Sequence, residues 1–202
     1  SPMSVSYNYI YAYNTCMDLQ KMNSKVLEYK IKEAQIQFYK GQFDEVDTNL
    51  RSIIESLPTD HPIYNDVLNI FAILISFRHN QEEFQVFAEA QLNIQQNKRT
   101  EAIEKLLTLY NANEIYIADM CRYQNAWLNF LQNEFEKVEL ELQSIKNETI
   151  FKEMAHILHT EILDYIDNNI EQAITSYLEF LELYPNSIYY DDIRLRLREL
   201  AS

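Results

Sequence analysis

Among 202 residues there is one glycine, Gly41. Phosphate-binding loops, dinucleotide-binding turns and nucleophile elbows all place glycines where the backbone meets a phosphate or reverses sharply. Gly41 alone cannot build any of them, and tight β-hairpins are equally starved of their turn residue. Composition therefore argues against nucleotide enzymes and against all-β folds. Cysteine is almost as scarce. Cys16 and Cys121 form neither a disulfide framework nor a zinc spacing, so both are expected to be free thiols, with Cys121 buried on a helix. Long hydrophobic runs are missing too. The longest, "VLNIFAILISF" (67–77), has 11 residues and includes Asn69 and Ser76, whereas a membrane crossing needs about 20. It reads as a buried helix, and no transmembrane segment is expected. Positive charge is in the minority, with 17 Lys and Arg against 31 Asp and Glu and a net charge of −14. A surface this acidic repels phosphate backbones, so nucleic acid is not an expected partner. No signal peptide is visible. The opening Ser-Pro-Met reads as an expression remnant, which leaves a targeting segment upstream of it open, so the missing signal does not point to the cytoplasm.

What remains is an ordinary globular balance, 47% apolar and 24% charged, sufficient for one core or a short repeat array over residues 1–202. Four stretches align: "EAQIQFYKGQFDEV" (33–46), "EAQLNIQQNKRTEA" (89–102), "NAWLNFLQNEFEKV" (125–138) and "TEILDYIDNNIEQA" (160–173). Each has a small residue early, at Ala34, Ala90, Ala126 and Thr160. Each has a polar break, at Gly41, Asn97, Asn133 and Asn168–Asn169. Each ends on a second small residue, at Val46, Ala102, Val138 and Ala173. The last three recur at 36 and 35 residues. Two small residues per unit are what closely crossing helices require, because larger side chains would hold the backbones apart. Apolar residues follow at helical intervals, at Leu50 and Ile53, Leu106 and Leu109, Leu142 and Ile145, and Tyr177, Phe180 and Leu181, placed to pack on the next unit. Pro58 and Pro185 stop the second helix of the first and last units.

These features resemble the tetratricopeptide repeat, a helix–turn–helix of about 34 residues that stacks into a superhelix. The resemblance covers residues 25–200. It implies an all-α, right-handed solenoid of four to five hairpins: residues 1–23 as an N-terminal cap, 25–185 as repeats and 186–200 as a capping helix. The first two units are 56 residues apart rather than about 34. The excess holds the apolar helix of "HPIYNDVLNIFAILISFRHN" (61–80), read as the first half of a further unit sharing the helix near 82–96. In the N-terminal segment, "YNYIYAYN" (7–14) alternates like a strand but has no strand to pair with. A helix carrying Tyr7, Ile10, Tyr11 and Met17 on one side is the expectation.

The closing stretch "LELYPNSIYYDDIRLRLREL" (181–200) is locally consistent as a cap. Ser187 can cap a helix whose early turns carry Asp191 and Asp192. Asp192 stands four residues before Arg196, an ion-pair spacing, and Ile193, Leu197 and Leu200 form an apolar stripe for the last repeat. Arg194, Arg196 and Arg198 read as dipole and ion-pair partners rather than a nucleic-acid footprint. The form is similar to the ending of a tetratricopeptide subgroup of bacterial cell-envelope proteins, in which Tyr-Pro-x-Ser precedes an aromatic and a closing helix. Here Asp191–Asp192 replace that subgroup's usual small residue.

Chemistry-bearing patterns are few. His156 and His159, three apart, could share a metal, but no third ligand stands out and hydrogen-bonded, partly buried histidines are the plainer reading. "DNNIEQ" (167–172) spaces Asp167, Asn169 and Glu171 like a calcium loop, but Gln172 and Leu178 stand where that loop needs glycine and glutamate. Glu139, Glu141, Glu179 and Glu182 read as solvated helix faces. No catalytic residue, metal or cofactor is assigned, and an enzyme is the remote alternative.

The resemblance implies a concave groove lined by the first helix of each unit. Projected onto this chain, it contains Gln35, Phe38, Tyr39, Gln91, Ile94, Tyr123, Trp127, Phe130, Glu161 and Tyr165. Aromatic rings beside amides suit peptide recognition, with inter-repeat core as the competing use of each ring. Repeats of this class that bind a chaperone's terminal carboxylate use a lysine–asparagine–arginine clamp. The corresponding Ile31, Phe87, Tyr123 and Ile157 supply none of it. The expected function is a non-catalytic scaffold for a protein or peptide, with the bacterial periplasm or cell envelope implied by resemblance. The alternative is the peptide-sensing half of a bacterial regulator, although no helix-turn-helix headpiece is evident.

Overall fold

In the computed structural model, which describes residues 25–200, ten α-helices and one 3₁₀ turn succeed each other with no strand among the described residues. The helices are α1 (Lys25–Tyr39), α2 (Phe43–Ser56), α3 (Tyr64–Ser76), α4 (Gln81–Gln95), α5 (Arg99–Thr108), α6 (Ile115–Phe130), α7 (Phe135–Ser144), α8 (Ile150–Tyr165), α9 (Ile170–Leu183) and α10 (Tyr190–Leu200). Four pairs pack most intimately, α1 with α2, α4 with α5, α6 with α7 and α8 with α9. The second helix of each pair then meets the next helix in sequence. This is a helical-hairpin repeat. The helix expected from Tyr7 to Met17 lies outside the described residues.

The four polar breaks all adopt left-handed backbone: Gly41 at φ 68°, Asn97 at 58°, Asn133 at 60° and Asn168 at 50°. Three of them close the first helix in one way. The N–H of the left-handed residue returns to the carbonyl three back (Gly41 to Phe38, Asn97 to Ile94, Asn133 to Phe130), and the next N–H to the carbonyl five back (Gln42 to Gln37, Lys98 to Asn93, Glu134 to Asn129) at 2.8–3.0 Å. This is the Schellman closure, which glycine and asparagine favour because they tolerate positive φ. The fourth break is one residue looser, with Asn169 N–H reaching Leu163. Gly41 differs from the asparagines for a steric reason. A Cβ there would stand 3.1 Å from Gln85 Cγ and 3.4 Å from Gln85 Cα, because α4 passes directly over the turn.

The small residues lie where the helices cross. Ala34, Ala90, Ala126, Thr160, Val46, Ala102, Val138 and Ala173 are all buried. The apolar residues that follow, from Leu50 to Phe180, are buried between hairpins, with Leu181 half-buried. Leu57 and Tyr184, immediately before Pro58 and Pro185, leave the helical region as the proline ring requires.

The register of the long first interval is corrected by the structure. Helix α3 packs on α2, while α4 lies against α1 and pairs with α5. The apolar stretch is thus one inserted helix between two complete hairpins, rather than half of a unit sharing 82–96. Rings fix this joint: Phe84 of α4 meets Phe38 and Phe43 edge-to-face at 5.3 and 5.4 Å, and Phe77, which ends α3, meets Phe84 edge-to-face at 5.8 Å and lies tilted 5.1 Å from Phe87. Each such pair adds about 1 kcal/mol beyond its buried area.

Helix α10 closes the stack. Ile193 is buried, and Leu197 and Leu200 are half-buried, against Ile157, Ala173, Tyr177 and Phe180. Two local expectations change. Arg196 pairs not with Asp192 but with Asp164, through Nε and Nη2 at 2.8 Å each, and with Glu199 at 3.0 Å. Ser187 does not cap the helix, which begins at Tyr190. Its Oγ accepts from Tyr189 N–H and donates to Glu153, tying the turn to α8.

Candidate functional site

Two surfaces offer themselves, one on the first helices of the hairpins and one where the third hairpin meets the fourth. On the first, the residues projected from the repeat divide by burial. Phe38, Gln91, Tyr123, Trp127 and Glu161 are buried, none more than 5% exposed. Phe38 is edge-on to Phe84 and Phe87. Tyr123 packs 6.0 Å from the Phe151 ring. Trp127 stacks on Phe130 at 5.3 Å and 17°. Gln91 Nε2 donates to Gln124 Oε1 at 2.7 Å, joining α4 to α6 inside the protein. The first helices lie side by side, α1 on α4 and α6 on α8, so positions just after the crossing residues face a neighbouring helix. These five hold the stack together, and in this conformation they have little surface to give a partner. Gln35, Tyr39, Ile94, Phe130 and Tyr165 are half-buried and keep an open edge. The Tyr165 ring is covered on one face by the Arg196 guanidinium at 4.7 Å.

Below this face runs a polar network that composition did not reveal. Asn125 Nδ2 donates to Tyr110 Oη at 2.7 Å, and Tyr110 Oη donates to Glu141 at 2.6 Å. Arg122 sits over the Tyr110 ring at 4.7 Å. Burial pushes both the Tyr110 hydroxyl and the Glu141 carboxyl above their usual ranges. Glu141 is therefore a half-buried acceptor rather than part of a solvated face. Asp119, fully buried, accepts from Asn147 at 3.1 Å and Thr149 at 3.0 Å, which fixes the loop between α7 and α8. Burial also pushes up the Cys121 thiol, so it is held protonated.

The second surface is an open cleft of 870 Å³ between α7, α8 and α9. Leu142, Ile145, Ala155 and Leu163 supply its apolar part, and Glu139, Glu171 and Glu179 its carboxylates. Both histidines singled out by their spacing line it. His156 Nε2 is 3.1 Å from both the carbonyl and the hydroxyl of Ser176, and Ser176 Oγ is 2.6 Å from Thr160 Oγ1. Burial holds His156 below its usual range. His159 Nδ1 lies 2.8–2.9 Å from the Glu139 carboxylate, which raises its pKa. Glu139 thus belongs to an inter-hairpin pair and not to a solvated face, whereas Glu179 and Glu182 are exposed. Among the described residues no three His, Cys, Asp or Glu side chains are placed to hold a metal. No described helix is long and apolar enough to cross a membrane. Sequence spacing pointed to the two histidines but not to the cleft, because its other wall comes from α7, some twenty residues earlier.

The fold defines an all-α stack of helical hairpins. Comparison of the chain with protein families, curated proteins and solved structures gives no match.

Proposed function

We propose that this chain is a non-catalytic scaffold of the tetratricopeptide kind that holds a peptide or protein segment, and that it serves a bacterial cell-envelope assembly. The observation that carries the scaffold reading is the equivalence of the hairpins. Ile94, Phe130 and Tyr165 each stand three residues before the left-handed residue of their turn, with Tyr39 one residue nearer to its own, and all four keep an open edge. A row of apolar and aromatic edges at repeat spacing suits an elongated partner. The perturbed titratable groups support a structural use. Tyr110 and Glu141 satisfy one another, His159 is held by Glu139, and the Cys121 thiol is kept from becoming a thiolate. The envelope assignment rests on the Tyr184-Pro185-x-Ser187 closing form, whose serine ties the turn to α8.

The test is affinity capture from the native cell, with wild type beside Tyr39→Ala/Tyr165→Ala, read by mass spectrometry. Both side chains are half-buried, so circular dichroism should show the variant folded. Trp127→Ala is unsuitable, since emptying a buried site costs about 3–5 kcal/mol. An envelope protein captured by wild type and lost with the variant is expected. Identical partners with both would remove the first-helix face from consideration. A cytosolic DNA-bound partner would favour the regulator reading.

A further inference from the structure

We infer that the cleft between α7, α8 and α9 is a second docking site, which takes an extended basic segment of a polypeptide. It borrows from the proposed function only that the chain holds a polypeptide, and it uses a different surface. The cleft has an apolar floor, and its rim is acidic. Its two cationic lining groups are already engaged, Lys152 by Glu148 and His159 by Glu139. Glu171 and Glu179 are exposed and make no ion pair among the described residues. The charge left over is therefore negative, and it sits beside buried leucine rather than on a bare solvated face. At 870 Å³ the volume is within the range of about 300–1,000 Å³ for ligand sites.

The register of the rim selects the occupant. Glu171, Thr175, Glu179 and Leu183 line the cleft at four-residue intervals, one stripe of α9. Glu171 and Glu179 are therefore about 12 Å apart along the helix axis. In an extended chain rising about 3.3 Å per residue, residues four apart span about 13 Å and share a face, with the residue midway on that face too. A segment with Lys or Arg at its first and fifth positions and an apolar residue at the third would set two cations on Glu179 and Glu171. Its apolar side chain would then point to the floor. Tyr184, at the end of the cleft, offers a ring edge to the flanking residue.

The chain's histidines report on this directly, because two of its four line the cleft and His61 and His79 do not. Histidine-labelled protein is titrated with the acetylated peptide Lys-Ala-Leu-Ala-Lys at physiological salt and followed by NMR. Expected are saturable shifts at His156 and His159 alone, no response to Glu-Ala-Leu-Ala-Glu, and binding about tenfold weaker in Glu171→Gln/Glu179→Gln. Both variant sites are exposed, so the fold is retained. Absence of saturable shifts, shifts shared by all four histidines, or equal binding by the variant would each overturn the site. Partner capture lost with Tyr39→Ala/Tyr165→Ala while the peptide leaves His156 and His159 unmoved would sink the cleft and leave the scaffold standing.

Discussion

At the residue scale the strongest single linkage is Asp164. Its side chain is fully buried, yet it accepts two bonds from Arg196 and one from Tyr177 at 3.0 Å. Replacing Arg196 with Met leaves a buried carboxylate with one donor, which should cost about 3 kcal/mol in urea unfolding. Adding Asp164→Leu together with Tyr177→Phe to that variant should recover most of the loss, because it removes both the orphaned charge and the buried hydroxyl that would otherwise lose its acceptor. The two histidines should respond to pH with opposite signs. His159 has a folded pKa above its ordinary 6.5 because it bonds Glu139. Its contribution is fully present below pH 6.5 and is lost as pH rises through the raised value. His156 has a folded pKa below 6.5 because it is buried. Its contribution is present above pH 6.5 and is lost as pH falls toward the lowered value. Melting of His159→Gln should therefore fall further below wild type at pH 6 than at pH 8.5, by under about 1 kcal/mol for so exposed a pair. His156→Gln should approach wild type as the solution is acidified. The sequence suggested Asp192 for Arg196 because i,i+4 spacing is local; Asp164 lies on another helix, which spacing along one helix cannot show.

At the element scale the repeating unit is a helix, a left-handed residue and a helix. Asn133→Ala keeps positive φ but loses asparagine's tolerance for it, and should cost about 1 kcal/mol. Asn133→Gly should be neutral or slightly stabilising. Gly41→Ala should cost more than Asn133→Ala, since its Cβ also presses on Gln85 at 3.1 Å. Thermal denaturation of the three variants gives the order. These turns and the small crossing residues were legible in sequence, because backbone conformation and close approach each restrict residue type. The placement of α3 was not. Its apolar pattern says that it is buried, but whether it lies on α2 or pairs with α4 depends on which faces remain uncovered once α1 and α4 have met. Burial of Phe38, Tyr123 and Trp127 escaped for a related reason: an aromatic suits a core and a groove equally well.

At the scale of the whole molecule, each hairpin touches chiefly its neighbours, so stability is distributed along the stack. Removing residues after Asn186 deletes α10, uncovers Tyr177 and Phe180 and strands Asp164. Hydrogen exchange should then show protection lost first in α8 and α9, with α4 and α5 little changed. Loss of protection spread evenly over the chain would mean the stack melts as one body. Trp127, the only tryptophan, lies stacked on Phe130 within the third hairpin. Its emission is thus a spectroscopic tag on one unit, while ellipticity at 222 nm averages over every helix. In a stack that opens from its ends, fluorescence and circular dichroism need not share a midpoint. Their separation would measure how far the third hairpin outlasts the rest.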